Sequence, residues 1–335
     1  MKILVTGAGG FLGLNICKVL VKKYEVINFS RNHHSELDEL GITTRKGSLR
    51  DKDSIKSALN GIDAVFHIAA IAGVWGKEED YVQTNEVGTI ELVNACKEIG
   101  IKYFIYTSSP SVVFEKDDII LGDETLPYPK TFLNHYGRTK ANAEKYVLDS
   151  VANDFLAVSL RPHLIWGPND PHILPRLVQK AKAGKLKQVG NGENLVDIIF
   201  VENAALAHVQ AFENLITNPS ISGNSYFIGQ ERPVNLWDFI NQLLVSAGEE
   251  LVETTVSFKT AYRVGWFLEK VFSILGITKP EPPMTRFVAC QLAKSHYFSH
   301  AKAERDFGYK AVVSIEEGLV KTFEQRNKSL ELRKL

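Results

Sequence analysis

Cysteine is scarce in this chain: Cys17, Cys96 and Cys290 are the three among 335 residues. An odd number, widely spaced, excludes a disulfide framework and fits free thiols in a reducing, cytoplasmic setting. Charge of one sign is also missing. Lys and Arg together number 39, as do Asp and Glu, so the net charge is +0. Nothing in that balance draws the chain to nucleic acid or to a membrane by charge alone. No uncharged apolar run reaches the roughly 18 residues that a bilayer span needs. Internal repeats and low-complexity tracts are absent. The start, Met1-Lys2-Ile3-Leu4-Val5-Thr6-Gly7, turns glycine-rich after a few apolar residues and reads as a strand and loop, not a signal peptide. What is present, 44% hydrophobic and 23% charged residues, is enough for one large domain and a smaller one.

The first half alternates strands with helices. Lys2–Thr6 is a short β-branched apolar run, expected as a buried parallel strand. Gly7-Ala8-Gly9-Gly10-Phe11-Leu12-Gly13 follows and opens an amphipathic helix over 11–22. Strand, glycine loop and helix bring a pyrophosphate onto exposed N–H groups at a helix N-terminus. The spacing of Gly7, Gly10 and Gly13 is one residue longer than the Gly-x-Gly-x-x-Gly form. The next strand, Glu25–Ser30, ends where a site for NAD usually carries an acid for the ribose 2′-hydroxyl. Ser30 and Arg31 stand there instead. A cation at that point favours the 2′-phosphate of NADP(H), with NAD(H) as the other candidate.

Further strands are expected at Thr43–Lys46, at 64–70 and at Tyr103–Thr107. Short and long helices are expected at 53–59 and 78–98, with Asn85 buried on periodicity. Ala69 and Ala70 are small enough for a backbone to approach a ring or ribose. His67 reads as strand-end packing. The apolar loop 71–76, with Trp75, stands at the same sheet edge as a candidate cover for cofactor or substrate. The alternation implies an α/β fold: a Rossmann-type, doubly wound parallel sheet.

Chemistry concentrates in Tyr136-Gly137-Arg138-Thr139-Lys140, at the start of a helix expected over 136–150. Tyr136 and Lys140 are four apart and share a helix face. An ammonium there favours a phenolate and lowers the tyrosine pKa, so the phenol can pass a proton to or from a substrate oxygen. Ser108 and Ser109 follow the Tyr103–Thr107 strand, at the edge where open α/β sheets bind ligands. A Ser109 hydroxyl can hydrogen-bond a carbonyl while Tyr136 donates the proton.

After a strand over 157–161 the alternation weakens. Helices at 172–183, 203–214 and Leu236–Ser246 mix with short strands such as 225–228. We expect a Rossmann domain over 1–162. Residues 163–335 form mainly a smaller α/β substrate lobe, from which about 195–215 returns to the first domain. The stretch 261–275 is markedly apolar, with Tyr262, Trp266, Phe267, Phe272 and Leu275. It is expected to line or cover the substrate cavity with Trp266 or Phe267; the alternatives are a core helix of the smaller lobe and a face against a membrane interface. His296 and His300 are four apart on an expected helix, without a third ligand, so no metal site is assigned.

With these residues laid out, the chain resembles the extended short-chain dehydrogenases/reductases, the superfamily of NAD-dependent epimerases and dehydratases. It is similar to the branch of 3β-hydroxysteroid and sterol-4α-carboxylate dehydrogenases. The resemblance runs nearly end to end, through the glycine loop, the 107–114 segment, Tyr136 to Lys140, Arg161-Pro162 to Gly167-Pro168, and 297–309. Through 72–76 and 107–114 it is most similar to bacterial 2-alkyl-3-oxoalkanoate reductases. It implies an oxidoreductase with Ser109, Tyr136 and Lys140 as the catalytic set. It implies cofactor contacts from Gly7, Gly10, Phe11, Leu12, Gly13, Ser30, Arg31, Ala69, Ala70, Tyr136, Lys140 and Pro162. Ser48 departs from the acid that many relatives use for adenine, which leaves the backbone near Leu49. The expected substrate-facing set is Trp75, Ser109, His163, Trp266 and Phe267, for a large apolar substrate. Alternatives are a nucleotide-sugar epimerase or dehydratase, and a non-catalytic NADP-sensing regulator. A homodimer through the helices at 78–98 and 136–150 follows by analogy.

Overall fold

The computed structural model describes residues 1–332. Seven parallel strands form its central sheet, in the spatial order Asn224–Ile228, Leu156–Pro162, Tyr103–Thr107, Ala64–His67, Lys2–Thr6, Glu25–Ser30 and Thr43–Lys46. The winding reverses at Lys2–Thr6. The chain first steps outward through Glu25–Ser30 and Thr43–Lys46, then returns to the other side of Lys2–Thr6 with Ala64–His67. A reversal of this kind opens a crevice beyond the carboxyl ends of the strands.

Side-chain alternation explains the uninterrupted apolar strands. Ile3 and Val5 enter one core while Leu4 enters the other. Ile105 likewise faces one way and Phe104 and Tyr106 the other. Both faces are therefore apolar because both are covered. Helices Phe11–Leu20 and Val201–Thr217 pack together over one face. Lys52–Ala58, Gly88–Ile99 and His135–Asp149 cover the other.

The chain after residue 163 is interleaved with this sheet. Helix Val201–Thr217, strand Asn224–Ile228 and helix Ala301–Phe307 belong to the main layers. The remainder builds a smaller lobe around Trp166, Phe200, Trp237 and Phe239. Its four-stranded sheet runs Val234–Asn235, Leu195–Val196, His296–Phe298 and Ile119–Gly122, so a strand from the first half completes it.

The helix expected over 78–98 is not uniform. Glu78–Tyr81 and Gly88–Ile99 are α-helical, and Val82–Val87 between them is a π-helix. Asn85 sits in this turn, buried. Its side chain accepts from Ile71 N–H at 2.7 Å and donates to the Ile71 carbonyl at 3.0 Å. The widened turn carries a polar side chain inward to hold the start of the 71–76 loop.

Among the described residues no helix is long and apolar enough to cross a membrane. The three cysteines are buried free thiols.

Candidate active site

The glycine loop has a separate reason for each of its spaced glycines. Gly7 has φ +74°, the left-handed region that favours glycine. A Cβ on Gly13 would lie 2.1 Å from the Gly7 carbonyl oxygen, so only glycine lets this helix close onto its own loop. Gly10 donates to the Gly7 carbonyl at 3.0 Å and stands as the N-cap of Phe11–Leu20, where no side chain caps the helix. The first N–H groups of that helix thus face the crevice without a side-chain partner. Such an end attracts anionic phosphate.

A cleft of about 350 Å³ opens there. It gathers Gly7, Gly10, Phe11, Leu12, Gly13, Ser30, Arg31, Ser48, Leu49, Ala69 and Ala70. Its build, with crowded glycines and an uncapped helix end beside a cation, fits a dinucleotide. Asn32, His34, Arg50 and Thr84 line it too. Sequence spacing does not point to these four, because they reach the cleft from separate loops and a helix. The His34 ring lies so close to the loop that a Cβ on Gly9 would meet it at 2.4 Å. Ser48 is turned to local structure: its hydroxyl accepts from Arg50 N–H, and its N–H donates to Ser54.

Thr6 and His67 finish their strands inside a hydrogen-bonded chain. Thr89 donates to the Asn85 carbonyl, so its oxygen is left to accept from His67 Nε2 at 2.8 Å. His67 Nδ1 then accepts from Thr6 at 2.7 Å. Burial, with the nearby Lys140 charge, holds His67 down at about 3. It is a neutral packing residue.

Ser109, Tyr136 and Lys140 come together at the carboxyl end of Tyr103–Thr107. Ser109 is extended (φ −162°) and caps the short turn Pro110–Val112. Helix His135–Asp149 starts at Asn134, whose side chain accepts from Gly137 N–H at 2.7 Å. Gly137 then allows close approach: a Cβ there would lie 2.9 Å from the Ser111 carbonyl oxygen. The helix start is thereby seated on the serine turn. Lys140 is buried one turn on. Its ammonium donates to the Thr107 carbonyl at 2.6 Å and lies 4.0 Å from the centre of the Tyr106 ring. Thr107 is itself fixed, because its hydroxyl donates to His208 Nε2 at 2.9 Å.

Burial pushes Lys140 down to about 7, and Glu144 pulls it back up. Tyr136 is raised, mainly by burial, while the Ser109 hydroxyl acts to lower it. The expected lowering of Tyr136 by Lys140 is therefore absent here: the ammonium is spent on the Thr107 carbonyl and the Tyr106 ring. Burial raises the phenol further than the serine lowers it.

Other expected residues are placed differently. Pro162 ends Leu156–Pro162, buried beside Ile228. His163 is buried, with Nε2 at 2.7 Å from His296 Nδ1. His296 Nε2 donates to the Gln291 carbonyl, so His163 is the donor within the pair. The helix expected around 296 and 300 is corrected: His296 lies in the strand His296–Phe298, and His300 precedes helix Ala301–Phe307. His300 instead meets Asp197 at 3.1 Å.

Trp75 lines a second cleft of about 380 Å³ with His135, Arg138, Lys270 and Arg286. Its indole donates to the Ile277 carbonyl at 2.9 Å and meets Phe272 edge-on. Trp266 and Phe267 are not on that wall; they are 49% and 59% exposed. Helix Phe258–Ile274 instead buries Ala261, Gly265 and Glu269. Gly265 lies against the Thr285–Arg286 backbone, and Glu269 binds both the N–H and the guanidinium of Arg286. That anchor sets the helix phase and turns Trp266 and Phe267 outward.

The profile of the 3-beta hydroxysteroid dehydrogenase/isomerase family matches residues 4–259, from the first strand to the first turn of Phe258–Ile274. The chain belongs to this family. It is an oxidoreductase, as are the relatives that follow. It is 44% identical to the 2-alkyl-3-oxoalkanoate reductase of Stenotrophomonas maltophilia, over 95% of this chain and 97% of that protein. It is 33% identical to the decarboxylating sterol-4-alpha-carboxylate 3-dehydrogenase of Mus musculus, over 96% and 90%. Among solved structures, the UDP-glucuronic acid 4-epimerase of Bacillus cereus in complex with NAD superposes with a TM-score of 0.75. That match has 26% identity and covers 98% of this chain and 99% of that one. The family match includes the glycine loop, Ser109, Tyr136 and Lys140, but little of the outward-facing helix.

Proposed function

We propose that this family member is an NADP(H)-dependent reductase that interconverts a ketone and a secondary alcohol on a large apolar substrate of the 2-alkyl-3-oxoalkanoate or sterol type. One observation carries the reading: Ser109, Tyr136 and Lys140 meet at the carboxyl end of Tyr103–Thr107, two places along the sheet from the strand that opens the glycine loop, in a chain 44% identical to a 2-alkyl-3-oxoalkanoate reductase. A nicotinamide cofactor bound in that cleft supplies or takes the hydride. Tyr136 gives its phenolic proton to the carbonyl oxygen, and Ser109 orients that oxygen. Lys140, held in place by the Thr107 carbonyl, holds the nicotinamide ribose in this reading. Residues 1–162 hold mainly cofactor, and 163–335 mainly substrate, with Trp75 and His163 at the junction.

Arg31 and Arg50 share the cleft with Ser30, which supports NADP over NAD. The test is oxidation of a 2-alkyl-3-hydroxyalkanoate with the two cofactors in competition. Wild type is expected to prefer NADP+, and Arg31→Asp to reverse the order. Preference of wild type for NAD+ removes the cofactor assignment, and lack of turnover with hydroxy acids and sterols removes the substrate class. The epimerase reading draws on the Bacillus cereus neighbour. A nucleotide diphosphate needs basic groups in the lobe; Lys270 and Arg286 line the second cleft there, but Arg286 is engaged by Glu269 at 2.6 Å and Arg176 by Glu281 at 3.3 Å.

The outward face of Phe258–Ile274 supports contact with a lipid surface. Val264, Trp266, Phe267, Ile274 and Leu275 are exposed beside Lys259, Arg263 and Lys270, while the acid of this helix, Glu269, is buried. Flotation with anionic vesicles is expected to carry the protein upward. A Trp266→Ser/Phe267→Ser variant should stay behind. Wild type that fails to float with these vesicles removes the membrane contact.

A further inference from the structure

Ser111 is a second hydroxyl beside the proposed catalytic serine. Ser109 Oγ accepts from the Ser111 N–H at 3.2 Å and donates to Ser111 Oγ at 3.2 Å. Ser111 Oγ is an acceptor in that pair, so its own hydrogen is left for a further partner. The residue is half-buried. The bare Gly137 that receives its carbonyl adjoins Tyr136 in the same helical turn. Two hydroxyls at this spacing, next to one phenol, can hold two substrate oxygens at once.

The names of the two relatives share one chemical unit. A 3-oxoalkanoate and a sterol 4-carboxylate bearing a 3-hydroxyl each place a carboxylate on the carbon next to the reacting one. The carboxylate and carbonyl oxygens of such a β-keto acid lie at hydrogen-bond scale, as do the Ser109 and Ser111 hydroxyls. Over 109–114, Ser-Pro-Ser-Val-Val-Phe, the segment carries no acidic side chain that would repel an anion.

We propose that Ser111 receives the substrate carboxylate while Ser109 and Tyr136 hold the reacting oxygen, which makes the enzyme selective for β-hydroxy and β-keto acids over neutral alcohols and ketones. The inference rests on the reductase reading above and deepens it. Ser111 is a specificity residue: it touches the substrate but not the reacting carbon.

The test compares a 2-alkyl-3-hydroxyalkanoate with its methyl ester, each oxidised with NADP+. Binding of the acid to the cofactor-loaded protein is read in parallel by fluorescence. Ser111→Ala should raise KM and Kd for the acid by about tenfold to a hundredfold, the range for a lost hydrogen bond to a charged group, and change the ester less. Ser111→Thr keeps the hydroxyl and should keep the preference. Equal losses with acid and ester overturn the proposal, as does a wild type that uses the ester as well as the acid. Wild type that neither binds nor oxidises either compound overturns the reductase reading as well, with Tyr136→Phe as the inactive reference.

Discussion

Tyr136→Phe is expected to lower kcat by roughly 10²–10⁴-fold and to leave cofactor affinity intact. The ring stays and the proton goes. Asn134 caps the helix through Gly137 N–H, and Lys140 is tied to Thr107 and Tyr106, so neither depends on the phenol oxygen. The glycine-loop cleft is lined from other elements. A phenol raised by burial is protonated at neutral pH and ready to donate in the reductive direction. Measurement of kcat and of NADPH binding by fluorescence separates the two effects. Activity within a fewfold of wild type would exclude Tyr136 as the proton donor.

The second large effect is on stability. Glu144, one turn beyond Lys140, is fully buried. It accepts from Ser159 at 2.6 Å, from Arg161 at 2.8 and 3.0 Å, and from Tyr128 at 3.0 Å. Glu144→Gln keeps the shape but strips the counter-charge from a buried guanidinium, which costs about 3–5 kcal/mol. That is a large share of the ~5–15 kcal/mol that holds a typical domain. Burial pushes the Glu144 carboxyl up, and Arg161 with Ser159 more than offsets it, so the group lies below its ordinary 4.5. A depressed folded-state value makes the stabilisation fully present above about 4.5 and lost as pH falls through the folded value. Urea unfolding at pH 7 and at pH 4 should show this acid dependence in wild type and less of it in the variant. Glu144→Gln/Arg161→Met, which removes both charges, should recover much of the loss. A single variant within about 1 kcal/mol of wild type would show that the pair is not essential.

Much of the frame is legible in order along the chain. The strands Lys2–Thr6, Glu25–Ser30, Thr43–Lys46 and Tyr103–Thr107 have the bounds expected from the sequence, three of them on apolar runs and Thr43–Lys46 on its place in the alternation. Gly7, Gly10 and Gly13 can be read as a loop because the turn and the close helix approach are local demands. Tyr136 and Lys140 share a face because helix geometry alone puts them there. The π-turn at Val82–Val87 is less visible. Periodicity marks Asn85 as buried, but the reason is a backbone clasp on Ile71, fourteen residues earlier.

What the sequence by itself determines are the terms set within a few residues: strand alternation, the glycine crowding at the first helix, and the spacing of Tyr136, Lys140 and Glu144. Tertiary structure decides what depends on distant partners. His163 and His296 are 133 residues apart, and no local pattern announces that they meet. Lys140, on a helix, is aimed by the carbonyl of Thr107 at the end of a strand 33 residues earlier, so its charge rests there and not on Tyr136. The apolar stretch around Trp266 and Phe267 is legible as a helix, but its rotation is not. Gly265 against Thr285–Arg286 and Glu269 on Arg286 settle which face is inward. A partly buried ion pair and a backbone contact outrank apolar content there, because the buried carboxylate of Glu269 must stay with its cation, whereas an exposed aromatic ring costs only unburied area.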